Sequence, residues 1–95
     1  MDGSKATTKK IQLGKVSNFY NKLSVAEFKL ESAGIKEGDQ LAFTGPTTGY
    51  EEIIVADIHT DNGIVKEAEK GEIVSIKLKF KVRENDKVYL ILKKE

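Results

Sequence analysis

Four cations at two-residue spacing, Lys77, Lys79, Lys81 and Arg83, form the arrangement in this chain that most suggests a chemical task. On an extended strand, side chains two apart stand about 6.5–7 Å from one another on one face, near the phosphate spacing of a single nucleic-acid strand. Four like charges in such a row repel unless acidic neighbours or a polyanion offset them. The simpler arrangement is a solvated outer face paired across strands with Glu67, Glu69 or Glu84. The functional one is contact with RNA phosphates. Phe19, Tyr20 and Tyr89 could stack on bases beside the row, although such rings more often fill a core or its rim.

Thr47 and Thr48 sit at the tip of a Gly45-Pro46-Thr47-Thr48-Gly49 loop and could offer hydroxyl and backbone N–H groups to a ligand. The competing role for them is to satisfy the turn itself. His59 is the only histidine, and it stands at a strand end beside Asp61-Asn62-Gly63. A nucleophilic triad or a metal centre would need partners at defined spacing, and none is present around it. Glu51 and Glu52 are adjacent, so on a strand they point to opposite faces, which defeats an acid/base pair. No catalytic constellation, metal site or cofactor site is expected.

The elements that must position these residues read as strands. Gly45 to Gly49 holds the only proline and two of the eight glycines. Proline fixes φ near about −65° early in a tight turn, and glycine permits φ > 0 where the chain leaves. Between the alternating Asp39–Thr44 and the β-branched Tyr50–Ile58, the loop predicts a hairpin built around a type I turn. Leu41 and Phe43 face inward by alternation. For the second arm, Ile54, Ala56 and Ile58 are the expected inward set, with Ile53 and Val55 replacing them if a bulge shifts the register.

Elsewhere, Ile11 to Tyr20 alternates, and Gly14 within it suggests a bulge or bend. Val25 to Leu30 places Ala26, Phe28 and Leu30 on one face of a strand, with a helix the competing reading because Ala, Glu, Phe, Lys and Leu all tolerate one. Asp61-Asn62-Gly63 predicts a second hairpin through a type I′ turn, returning along Ile64-Val65. Glu67 to Lys70 is at most one helical turn. Ile73 to Arg83 predicts one long half-buried strand, with Val74, Ile76, Leu78, Phe80 and Val82 inward and the cation row outward. Val88, Leu90 and Leu92 alternate in the closing strand. Glu37-Gly38-Asp39, Lys70-Gly71-Glu72 and Glu84-Asn85-Asp86 share one plan, in which a residue tolerant of the left-handed region precedes an acid and then a strand.

Met1 to Lys10 lacks apolar periodicity and is expected to be a flexible tail, with residues 11–95 forming one domain. A chain of this length buries roughly 60–65% of its unfolded surface, enough for one compact core. Sixteen basic and fifteen acidic side chains leave a formal charge of +1, so no strong global field draws nucleic acid. With no Cys, disulfides and thiolate metal sites are excluded. No apolar run approaches the roughly 18 residues a membrane helix needs, and no export signal precedes the domain. A cytoplasmic monomer with no membrane contact is expected. Six or seven short strands and no convincing helix predict an all-β fold, a closed barrel or a sandwich, with the barrel preferred because it leaves no free edge.

Taken in order, Gly14-Lys15-Val16, Val25-Ala26, Gly38-Asp39, Gly45-Pro46-Thr47-Thr48-Gly49, Val65 to Ala68, Gly71 to Ile76 and Asn85 to Tyr89 resemble the translation-protein β-barrel, domain 2 of elongation factor Tu and its relatives. The Gly-Pro-Thr-Thr-Gly loop is most similar to two subgroups. These are small stand-alone elongation-factor-like proteins, and the C-terminal barrel of collagenase-like peptidases, a family also linked to tRNA and rRNA hydroxylation. The resemblance spans Gly14 to about Leu92 and implies a small closed antiparallel Greek-key β-barrel of six to seven strands that serves as a non-catalytic module. It implies contact with tRNA, rRNA or a ribonucleoprotein or, alternatively, docking onto a separately encoded enzyme, GTPase domain or other translation-related protein. A phosphate-binding GxxxxGK[ST] loop is missing, since Lys9 stands at the first glycine position and Val16 follows Gly14-Lys15. Residues of a peptidase catalytic domain are missing too.

Overall fold

The structure, a computed structural model, describes Thr8 to Lys93. Ten strands follow one another: β1 (Thr8–Tyr20), β2 (Val25–Lys29), β3 (Ile35–Lys36), β4 (Gln40–Gly45), β5 (Gly49–Ile54), β6 (Ile58–Thr60), β7 (Gly63–Val65), β8 (Glu67–Ala68), β9 (Ile73–Lys77) and β10 (Lys87–Lys93). Every pairing is antiparallel. Eight strands form one sheet in the order β5-β4-β10-β1-β2-β9-β6-β7, and β3 pairs with β8. The all-β architecture is as expected. Closure is not drawn by the hydrogen bonds: among the described residues no pairing joins β5 to β7, and the sheet keeps both as edges.

β1 makes this sheet wrap. Its first part pairs with β10 from Thr8 to Lys15, and its last part pairs with β2 from Val16 to Tyr20. The register shifts between Gln12 and Gly14 and again between Val16 and Asn18. Each shift is an irregularity that bends a strand and raises its twist, so β1 serves two half-sheets in turn. Gly14 is required there, because a Cβ would meet the Lys29 carbonyl. β1 also begins at Thr8, so the last three residues of the expected tail are strand; Met1 to Thr7 lie outside the described residues.

One core fills the concave side. Leu13, Val16, Ala26, Phe28, Leu41, Phe43, Ile58, Val74, Ile76, Val88 and Leu90 are buried together, drawn from both half-sheets. Phe28 and Phe43 meet edge to face with ring centroids 6.0 Å apart, and Phe43 meets Phe80 at 5.9 Å. Such pairs add to the area they bury.

The three turns that share a plan also share a geometry. Gly38, Gly71 and Asn85 take φ of 92°, 99° and 74°. In each turn the acid that follows donates its N–H to the residue three earlier: Asp39 to Lys36, Glu72 to Glu69 and Asp86 to Arg83, all at 3.1 Å. Its carboxylate accepts that residue's N–H in return, from Lys36 at 2.9 Å, Glu69 at 2.8 Å and Arg83 at 2.9 Å. The left-handed residue then donates to a buried apolar residue, Val55, Leu30 or Val16, whose own N–H returns to the acid's carbonyl at 2.8 Å. Each turn is thereby stitched to a different strand or strand end. Positive φ at the third position marks a type II turn, which explains Gly twice and Asn once.

Several expectations are corrected. β9 stops at Lys77, so Ile73 to Arg83 is not one strand. Its partner β2 begins at Val25, and the preceding turn presents only Ser24, which binds Leu78 through its carbonyl and its hydroxyl. A strand without a partner cannot extend its ladder, and the chain bends at Lys79 and Phe80. Burial still alternates to Arg83, with Leu78 and Val82 buried, Phe80 half-buried and Lys79, Lys81 and Arg83 exposed. In the arm after the Gly-Pro-Thr-Thr-Gly loop, Val55 and Ile58 are buried whereas Ile54 is 62% exposed and Ala56 is exposed. The strand breaks over residues 55–57, which shifts the inward set there to Ile53 and Val55 and resets it at Ile58. Glu67-Ala68 is strand β8 and not a helical turn. Asp61 and Asn62 are not among the positive-φ residues, and Gly63 alone takes φ of 100°, so that hairpin does not use a type I′ turn, which needs φ > 0 at both central residues.

Candidate functional site

The 45–49 loop is tighter than its composition suggests. Gly45 pairs with Gly49 across a three-residue tip, and Gly49 takes φ of 80°. Gly45 is held without a side chain because a Cβ would collide with the carboxylate of Asp86. Asp86 is 3% exposed and is the buried charged residue among those described. Besides the Arg83 N–H, its carboxylate accepts the Thr48 hydroxyl. One buried acid therefore ties the hairpin tip to the turn preceding β10.

Beside that tie lies an open groove of about 880 Å³. Phe19 and Asn21 come from the end of β1, Thr47, Thr48 and Glu51 from the β4–β5 hairpin, and Phe80 to Asn85 from the segment after β9. Phe19 and Phe80 pack against the core, so their rings form a floor more than free stacking faces. Lys81 and Arg83 stand on the rim with Glu51 and Glu84, all exposed.

Of the residues singled out from sequence, Phe19, Thr47, Thr48, Lys81 and Arg83 meet at this groove. Lys77 lies on β9 opposite Val25, and Lys79 is on the bend; neither lines the groove. The four cations therefore do not form one straight row. Tyr20 is on the outer surface, where its hydroxyl donates to Glu27 at 3.3 Å and Asn18 donates to the same oxygen at 3.1 Å. The Glu27 charge, the first cause, together with desolvation and this hydrogen bond, raises the Tyr20 phenol above its ordinary 10.0. Tyr89 is half-buried on β10 opposite Ala42 and Gln12.

His59 is exposed on β6 between Ser75 and Ile64, away from the groove. Among the described residues no three His, Asp or Glu side chains converge on a metal-sized site. No helix of the described residues is long and apolar enough to cross a membrane. Asn21, Val82 and Asn85 also line the groove and were not expected there, and Asp86, which does not line it, holds its Thr48 in place. The repeated turn plan was the signal for Asp86, since it predicts an acid beside a left-handed residue. Nothing local pointed to Glu51 sharing a groove with Lys81 and Arg83.

Comparison with known proteins places this surface in context. The chain is 43% identical over 93 residues to a collagenase of Porphyromonas gingivalis and 42% identical over 91 residues to an uncharacterized protease of Methanocaldococcus jannaschii. These alignments cover 98% and 96% of this chain but 22% of each relative. The chain thus spans about a quarter or less of the curated proteins it matches. Among solved structures, the C-terminal domain of a Geobacillus thermoleovorans U32 peptidase superposes with a TM-score of 0.75, over 82% of this chain and 96% of that one, at 19% identity. A second structure of that domain gives 0.71. No protein-family model matches the chain. Its homologues are therefore collagenase-like peptidases, and its fold is that of a U32 peptidase C-terminal domain. These relatives carry peptidase names and none is a translation factor, so the elongation-factor side of the resemblance gains no support from them.

Proposed function

We propose that this chain is a non-catalytic accessory domain that docks onto the catalytic part of a collagenase-like peptidase, whether in the same polypeptide or in a separate one. The observation that carries this reading is the extent of the match. The alignment takes in nearly all of this chain and only 22% of the collagenase, and a domain of this fold was crystallised apart from the rest of its peptidase. The test is direct. The Porphyromonas gingivalis collagenase, truncated of the segment that matches this chain, is mixed with this chain and passed through size-exclusion chromatography. Co-elution is expected; two separate peaks, or peptide cleavage by this chain alone, would count decisively against the reading.

A second reading, contact with RNA, is favoured by the meeting of Lys81 and Arg83 with Phe19, Thr47 and Thr48 at one groove. A tRNA gel shift that weakens with salt and with Lys81→Glu and Arg83→Glu is its expected signature. No retardation at about 50 mM salt would sink it.

A further inference from the structure

The start of β1 and the finish of β10 lie side by side, since Thr8 pairs with Lys93 and Lys9 with Leu92. Apolar surface stands open beside this point, because Ile54 and Leu92 are both exposed. Gln40 on β4 pairs with Ile54 on one side and Ile91 on the other, so the two isoleucines share one cross-strand row, which Lys10 extends. Ile54, Ile91 and Leu92 line one cleft of about 230 Å³ with Gly38, Asp39 and Gln40. Leu92 and Asp39 also border a second cleft, of about 510 Å³, beside the β3–β8 pair. β5 is moreover an end strand of its sheet, paired with β4 alone among the described residues. A single exposed aliphatic is ordinary. Several that share a cleft next to an uncovered strand edge mark an interaction surface. The other exposed aliphatics, Leu23, Ile64 and Ile73, line neither cleft.

We propose that this face, centred on Ile54, Ile91 and Leu92, is where the catalytic part of a collagenase-like peptidase seats an apolar surface of its own. The proposal rests on the docking reading above and gives that contact a place. Connectivity selects the occupant. This chain matches 22% of the collagenase, so most of that protein lies outside the match. In the Geobacillus thermoleovorans peptidase the fold is a C-terminal domain, so whatever precedes it joins at its first strand. Here that point is the start of β1, next to Leu92. A domain joined there is held beside Ile54 and Leu92 at high effective concentration, so a modest contact suffices. Aliphatic side chains rimmed by exposed Lys9, Lys10 and Lys36 have the mixed character of interfaces between domains of one chain. The groove bordered by Lys81 and Arg83 lies at the other end of β1, where Phe19 and Asn21 line it.

The probe is the Porphyromonas gingivalis collagenase lacking the segment that matches this chain, added to the isotope-labelled full chain while amide signals are followed. Broadening is expected at residues 38–40, at Ile54 and at residues 91–92 of the unaltered chain, a readout independent of how any variant folds. Ile54→Glu, at an exposed position, should weaken binding about tenfold or more, whereas Leu23→Glu and Ile64→Glu should leave it unchanged. Broadening centred on Leu23, on Ile64 and Ile73, or on the groove at residues 81–83 would overturn the placement while the docking reading stands. Undiminished binding of Ile54→Glu would overturn it in the same way. Broadening at Ile54 and Leu92 in the chain alone, rising with its concentration, would assign the face to a second copy and overturn the choice of occupant. No broadening anywhere on adding the truncated collagenase would remove the docking reading and this placement with it.

Discussion

Asp86 shows how one side chain can hold a functional surface in place. It accepts from Thr48 and Arg83 and occupies the space that a Cβ at Gly45 would need. Asp86→Ala leaves a part-buried N–H and a part-buried hydroxyl without their acceptor, a loss of about 1–3 kcal/mol in chemical denaturation, with the 45–49 hairpin loosening first. An unchanged denaturation midpoint would show that water replaces the carboxylate at no cost. Tyr20 gives a second residue-level expectation. Its pKa is raised chiefly by Glu27, so the neutral phenol is favoured in the folded chain. The stability linked to it is present below the unfolded value of 10.0 and is lost as pH rises through the folded one. In an ultraviolet titration Glu27→Gln should move the Tyr20 midpoint down towards 10.0, and no movement would reject Glu27 as the cause.

Among the elements, the three stitched turns do the positioning. Each uses one residue at positive φ, one returning carboxylate and a pair of backbone bonds to a buried apolar residue. Two of them carry Gly at the left-handed position and the third carries Asn85. Asn85→Gly should therefore gain a few tenths of a kcal/mol, up to about 1, whereas Gly71→Ala should lose about 1 kcal/mol or more. Paired thermal melts read both signs, and a stabilised Gly71→Ala would contradict the turn type. The plan of these turns was legible in the chain because a turn is a local object: the left-handed residue and its acid are neighbours. Their destinations were not. That Gly38, Gly71 and Asn85 reach Val55, Leu30 and Val16 depends on strands brought together from far along the chain.

For the molecule as a whole, both half-sheets share one core through the bent β1. Phe43 lies where they meet, with Phe28 on one side and Phe80 at the groove floor on the other. Phe43→Ala is expected to cost about 3–5 kcal/mol and to lower a single cooperative unfolding transition. Two separate calorimetric transitions would mean that the half-sheets fold independently. The same ring row couples stability to the groove, since Phe80 closes its floor.

Period-two alternation, paired with turn chemistry at Gly45–Gly49 and Asp61–Gly63, was sufficient to establish an all-β chain and most of its buried residues. Side-chain direction and turn geometry are properties of a few consecutive residues, so they survive in a linear text. Where a strand ends is a different matter. Ile73 to Arg83 alternates without a break, yet the ladder stops at Lys77 because its partner turns away at Ser24, and only the folded chain contains that partner. The straight cation row dissolved for this reason, and the groove arose from it: unpaired backbone, two cations from after β9, and a hairpin tip bound to Asp86, assembled from segments that share no local pattern.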